Sequence, residues 1–281
     1  MNTLAIIQAR MGSSRLPGKV LLDLAGKPMI QRVIERVQRA QTVHRVLIAT
    51  TTDPADEPIA QFAAQQGVDC YRGSLHDVLD RFYQAAQCVQ PDVIIRITAD
   101  CPLIEPSLID ETVRLMREPC FAPIDFACNR LPPPFTRTFP IGLDVEVCTS
   151  AALERAWREA SAPFHREHVM PYIYEGVTLM QPASQPVHRR YSVCTGISPR
   201  QFHIAQLQHT PDYGSLRWTV DTIEDLTFIR ELYARLPNTE EFDWYDVLHT
   251  VQQHPELSRI NATVQHKTMT DVDERANPAI N

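Results

Sequence analysis

The sequence predicts an α/β protein on a mainly parallel, doubly wound sheet. Three observations predict it. Short, almost wholly apolar runs recur through the first half; segments with helical spacing of apolar residues separate them; and the runs end in charged or glycine-bearing loops. The β-α-β-α order implies right-handed crossovers, which place ligands outside the carboxyl ends of the strands.

The elements follow in order. Residues 4–7 (Leu-Ala-Ile-Ile) read as a buried strand, and Met29, Ile30, Val33, Ile34 and Val37 recur at helical spacing behind Pro28, a residue suited to a first helical turn. Residues 46–50 form a second strand, broken by Asp53-Pro54, before a helix over 55–66. A third short strand covers 68–71, with a helix over 75–89 presenting Val78, Leu79, Phe82, Tyr83 and Ala86 on one face. Residues 92–98 form a fourth strand, and 106–117 the next helix. Beyond 118 prolines punctuate the chain; 143–147 reads as a strand, 149–160 as a helix, and 163–175 as a helical turn region. Residues 177–213 are poorly periodic and read as an inserted lobe, after which 216–220 returns to strand and 223–235 to an amphipathic helix. We expect one domain over 1–254, with a nucleotide half (about 1–118) and an acceptor and interface half (about 119–254), followed by a polar extension over 255–281.

The totals exclude several classes. With 281 residues, 44% hydrophobic and 22% charged, the chain has the composition of a globular protein with a sizeable core. A net charge of −7 argues against a general nucleic-acid binder. Seven cysteines, odd in number and without C-x-x-C, read as reduced thiols of a cytoplasmic protein. No signal peptide is evident, and no apolar run approaches the ~18 residues of a membrane span.

The chemistry concentrates where strands end. After the first strand comes Gln8-Ala9-Arg10-Met11-Gly12-Ser13-Ser14-Arg15-Leu16-Pro17-Gly18-Lys19, with three cations, two glycines and two serines in one loop. Backbone N–H groups freed by glycine approach anionic oxygens closely, and Arg10, Arg15 and Lys19 neutralise them. The loop is neither a Walker A sequence nor G-x-G-x-x-G; alone, it reads equally well as a basic surface loop. Asp100, after the fourth strand, can hold a hard cation such as Mg²⁺ that bridges phosphates, or can cap the following turn. Asp221 can be a second carboxylate on that metal, the N-cap of the helix from 223, or both. Arg72, Asp80 and Arg81 flank a helix start, where they contact a nucleotide or form surface salt bridges. Asp144 and Glu146 share one strand face and can bind sugar hydroxyls. His165, Glu167 and His168 lack the H-E-x-x-H spacing of a zinc site, and Asp271-Val272-Asp273 copies D-x-D in a polar tail rather than after a strand.

Together these blocks resemble the cytidylyltransferases that activate sugars, a family including acylneuraminate and 3-deoxy-manno-octulosonate enzymes, and within it most closely the spore-coat polysaccharide (SpsF-like) branch. The resemblance runs from Ile6 to about Leu232 and rests on the loop from Ile7 to Lys19, Arg72-Gly73-Ser74 with Asp77 to Arg81, Arg96 to Leu103, Gly142 to Val147, Arg166 to Val169, and Leu216 to Thr222 with Glu224-Asp225-Leu226. Ile141 and Met170 depart from the pattern, both in the acceptor half.

The resemblance implies a three-layer nucleotide-diphospho-sugar transferase fold, Rossmann-like, with a mixed sheet and an inserted acceptor or dimerisation lobe. It implies transfer of CMP from CTP to a sugar or sugar-acid hydroxyl with loss of pyrophosphate, for surface polysaccharide or glycan synthesis. Arg10 and Lys19, with Arg15, carry over as triphosphate ligands, and Asp100 and Asp221 as magnesium ligands. Ala9, Gly12, Ser13, Arg72, Asp80 and Arg81 carry over to the nucleotide site, and Asp144, Glu146, Glu167 and His168 to the acceptor pocket. A homodimer is expected through 177–213, where Tyr191, Val193, Ile197, Phe202, Ile204 and Leu207 form an apolar set. A glycosyltransferase of the same fold would need a well-placed D-x-D, and a non-catalytic binding protein would not need Arg10, Lys19, Asp100 and Asp221 together.

Overall fold

The structure, a computed structural model, describes residues 1–181 and 190–265. β1 (Thr3–Gln8) is followed by a 3-10 turn (Lys19–Leu21), a small hairpin of β2 (Asp23–Leu24) and β3 (Lys27–Pro28), and α1 (Met29–Gln38). Then come β4 (Arg45–Thr51), α2 (Glu57–Gln66), β5 (Asp69–Gly73), α3 (Val78–Gln87), β6 (Val93–Thr98) and α4 (Pro106–Leu115). The second half contributes β7 (Phe126–Cys128), β8 (Glu146–Thr149), α5 (Ser150–Glu159), α6 (Pro163–His168), α7 (Pro171–Tyr174), β9 (Ser192–Ile197), β10 (His203–Gln208), α8 (Ile223–Tyr233), α9 (Trp244–Gln253) and α10 (Leu257–Ile260).

One eight-stranded sheet has the order β5-β4-β1-β6-β8-β7-β10-β9. The pairs β4–β5, β1–β4, β1–β6 and β7–β10 are parallel, while β6–β8, β7–β8 and β9–β10 are antiparallel. The mixed, mainly parallel architecture therefore matches the sequence expectation. The central strands β1, β4 and β6 are largely apolar because helices cover both of their faces. Ala5, Ile7, Ile48, Ile95 and Ile97 face a core that includes residues of α1, α4, α8 and α9, and Leu4, Ile6, Leu47 and Ala49 face one with residues of α3 and α5.

Five features depart from expectation. Residues 216–220 are not a sheet strand. They are held by Ile141 N–H donating to the Leu216 carbonyl (2.8 Å), Trp218 N–H to the Ile141 carbonyl (2.7 Å) and Val220 N–H to the Asp100 carbonyl (2.9 Å). The strand expected at 143–147 begins only at Glu146, because the Asn129 side chain takes the preceding backbone groups: its Nδ2 donates to the Leu143 carbonyl (2.6 Å) and its Oδ1 accepts from Val145 N–H (2.9 Å).

Residues 177–213 are not an excursion from the sheet: they supply its β9 and β10. The apolar set that motivated a dimer surface is largely internal, since Tyr191, Val193, Phe202, Ile204 and Leu207 are buried and Ile197 alone of the six is exposed. α9 was not expected; the Asp243–Asp246 capping box starts it. The boundary expected at 254 falls within packed structure, because Leu257 and Asn261 are buried. Asp271 and Asp273 lie outside the described residues.

Candidate active site

The parallel strands β1 and β6 bring their carboxyl ends to one edge, and the antiparallel β8 brings its amino end there. The loop after β1, Asp100 after β6, and Asp144 and Glu146 at the start of β8 thereby converge. Arg130 leaves β7 at the same edge, because β7 runs antiparallel to β8.

The basic loop is a folded turn. The Met11 carbonyl accepts from Ser13 N–H and Gly18 N–H, both at 2.9 Å, and the Met11 N–H donates to Asp56 Oδ1 at 2.6 Å. Asp56 is buried and was not singled out from the sequence; its signal was an acid just past β4, facing the loop. Gly18 sits at φ 71°, left-handed backbone that a side chain would strain, and it delivers Lys19 into the interior.

Lys19 Nζ donates to Asp100 Oδ2 at 2.7 Å, to the Val220 carbonyl at 2.7 Å and to Asp221 Oδ1 at 2.9 Å. The two carboxylates expected to converge do so, around an ammonium. The backbone bond from Val220 to Asp100 clamps the two segments side by side. Gly142 packs against the same segment from its own loop: a Cβ there would lie 2.7 Å from the Thr219 nitrogen. Asp221 Oδ2 accepts from Arg217 (2.8 Å) and pairs with Arg15 (3.0 Å). Arg217 is itself held by buried Asp225, which Asn261 also contacts at 3.0 Å. Burial opposes charge on Lys19, but Asp100 and Asp221 outweigh it and raise its pKa above the ordinary lysine value. Burial likewise opposes ionised Asp221, yet Lys19 and then Arg15 hold its carboxyl well below the usual range. The neighbouring Cys101 thiol is pushed far up by burial, so it stays neutral.

Two adjoining cavities open here and share Gln8, Arg10 and Glu167. The smaller, about 250 Å³, reaches Gly12, Asp53, Asp56 and His76. The larger, about 350 Å³, is lined by Ala9, Ser13, Arg15, Lys19, Asp100, Asp144, Glu146, His168 and Asp221, among others. Three of the expected residues line neither cavity. Arg72 holds the Thr51 and Asp53 carbonyls and Glu57, Asp80 accepts from Trp157 Nε1 at 2.8 Å, and Arg81 is buried against the Ser74 carbonyl. His165 turns away to Glu175 at 3.1 Å, so the histidines do not form a shared metal site.

Arg96 and Arg130 also line the larger cavity and were given no role from the sequence. Arg96 spans Glu146 (2.5 Å) and Gln8 (3.3 Å). Arg130 feels Asp144 and Glu146 electrostatically, and among the described residues its guanidinium has no hydrogen-bond partner. Asp144 is engaged by Arg137. The only sequence signal for Arg130 was its place just after the short apolar run 126–128.

Residues 4–246 match the family model described as cytidylyltransferase. The chain belongs to the cytidylyltransferase family. It is therefore a nucleotidyltransferase. The spore coat polysaccharide biosynthesis protein SpsF of Bacillus subtilis is 30% identical over 91% of this chain and 96% of its own length. An uncharacterised protein of Methanocaldococcus jannaschii is 33% identical over 98% of this chain and 100% of its own. The 3-deoxy-manno-octulosonate cytidylyltransferase of Geobacter sulfurreducens is 39% identical, over 42% of this chain and 46% of its own. Among solved structures, a cytidylyltransferase from Leptospira borgpetersenii superposes with a TM-score of 0.78 at 29% identity, covering 95% of this chain and 100% of that one. Among the described residues of this cytidylyltransferase, no helix is long and apolar enough to cross a membrane.

Proposed function

We propose that this cytidylyltransferase moves CMP from CTP to a hydroxyl of a sugar or, by preference, a sugar acid, releasing pyrophosphate, in surface polysaccharide or glycan synthesis. The observation that carries the reading is the convergence of Asp100 and Asp221 on one cationic point beside the folded basic loop. The sugar-acid preference rests on Arg130, a cavity-lining guanidinium without a hydrogen-bond partner among the described residues, and on the family relatives.

In this reading the smaller cavity takes the nucleoside and the larger takes phosphates and acceptor. Arg10, Arg15, Lys19, Arg96 and Arg130 balance Asp100, Asp144, Glu146, Glu167 and Asp221 along the larger wall. Such a wall is neutral overall, so a triphosphate needs further positive charge. The donor set fits a magnesium ion: Asp100 and Asp221 already hold a cation together with two carboxylate oxygens, the hard ligands that ion prefers, and these two residues would hold it. Bound there, magnesium supplies charge neutralisation at the phosphates.

The chain's own residues do the rest. The acceptor oxygen attacks the α-phosphorus in line, and the bond to the bridging oxygen of pyrophosphate breaks. Arg10 and Lys19 take up charge on the departing pyrophosphate, and the proton of the attacking hydroxyl passes to His168, which lines the same cavity as Glu167. Seven free cysteines, three of them exposed, fit a reducing cytoplasm. A homodimer remains part of the proposal, now resting on exposed Ile197 at the end of the edge strand β9 and exposed Met180, which bridges to that strand at Thr195; light scattering tests it. The decisive experiment is pyrophosphate release from each of four nucleoside triphosphates against a panel of sugar acids and neutral sugars. Turnover with CTP and a sugar acid is expected; preference for another triphosphate defeats the assignment.

A further inference from the structure

All three protons of the Lys19 ammonium are used. They point at Asp100 Oδ2, the Val220 carbonyl and Asp221 Oδ1, all within 2.9 Å, and the residue is 7% exposed. A lysine so placed has no donor left for a phosphate. The same two carboxylate oxygens are the ones a divalent cation would need, and one point cannot hold both cations.

We propose that Lys19 and the divalent cation are alternative occupants of one oxygen cage, with Lys19 filling it in the resting protein and leaving for the phosphates when metal and nucleotide arrive. This rests on the reading that Asp100 and Asp221 hold the metal. The cage persists through the exchange. The Val220–Asp100 backbone bond fixes its walls, and Arg15 and Arg217 grip Asp221 Oδ2, leaving Oδ1 turned inward. Lys19 alone must move, and its four-carbon stem lets the ammonium swing while the backbone stays.

The exchange links the two ligands. Metal alone must expel a buried ammonium that loses three hydrogen bonds. A triphosphate offers that ammonium new oxygens, so each ligand strengthens the other by the same factor. The empty-handed state is avoided: without its ammonium the cage would hold two carboxylates facing each other.

Manganese binding to nucleotide-free protein, read as loss of the free-ion paramagnetic resonance signal, tests the proposal. Lys19→Met should bind Mn²⁺ at least tenfold more tightly than the unaltered chain, and adding Asp100→Asn to Lys19→Met should abolish the gain. Lys19→Gln, which keeps polar contacts, serves if Lys19→Met does not fold, and should show the same direction. A folded Lys19→Met or Lys19→Gln that binds Mn²⁺ no more tightly than the unaltered chain overturns the exchange. So does a gain that survives Asp100→Asn. The measurement contains no nucleotide, so the failure of CTP turnover in the unaltered chain would defeat the functional reading alone.

Discussion

Arg217 donates to Asp221 Oδ2 at 2.8 Å while its guanidinium also grips Asp225, a carboxylate with no exposed surface. One arginine thus joins a site carboxylate to the N-terminal capping box of α8. Removing it leaves Asp225 buried without its counter-charge. Arg217→Met should lower stability by about 3–5 kcal/mol, read by urea denaturation, whereas Arg217→Lys should lose less. A neutral Arg217→Met would show that Asn261 and the helix N-terminus suffice for Asp225.

Asp100→Asn and Asp221→Asn keep size and polarity but remove charge from the cage. Each variant should remain folded and lose turnover by roughly 10²-fold or more, followed as pyrophosphate release. The double variant should be little worse than either single one, because both residues serve one cation. Near-normal turnover by Asp100→Asn would remove the basis of the mechanism.

The depressed Asp221 pKa has a signed consequence for acid stability. A carboxyl whose folded pKa lies below its unfolded value, about 3.9, stabilises the fold above that value and loses the contribution as pH falls through the folded pKa. Lys19 is raised, so its contribution is full below the ordinary lysine pKa and fades only as pH climbs through the folded one. The stability gap between the unaltered chain and Asp221→Asn should be level from pH 5 to 8, about the range where neither group titrates. It should narrow below about pH 4. A gap changing through pH 6–7, about the histidine range, would point to another group.

Arg130→Gln separates acceptor from nucleotide. Losing a charge-assisted hydrogen bond of about 1.5–3 kcal/mol should raise the KM for a sugar acid by roughly 10- to 100-fold and leave the KM for CTP near its original value. Neutral sugars should be unaffected. An equal rise in both KM values would place Arg130 on the nucleotide.

What was legible in the sequence follows from where burial is two-sided. β1, β4 and β6 are apolar on both faces, so Leu4 to Ile7 and their neighbours announced themselves, and the charged residues after them marked the site edge. β9 and β10 carry polar residues such as Gln206, and no periodicity betrayed them, although the Gln206 side chain is buried. Residues 216–220 have strand composition because Trp218 and Val220 are buried, yet their backbone pairs with loops rather than a ladder. Arg72, Asp80 and Arg81 were right in type for a nucleotide site and are used as struts. Arg130 was missed because its role depends on the reversed direction of β8, which topology alone reveals.

The Lys19 amine meets Val220 and Asp221, 201 and 202 positions further along the chain. Closing so long a loop is entropically slow and comes late, since most of the polypeptide must be in hand before these groups can meet. On a ribosome, the first half can form its own strands and helices, but it lacks Asp221. A ligand that needs both carboxylates then reports on the finished chain, and truncated or half-folded molecules would not draw it away from the mature population.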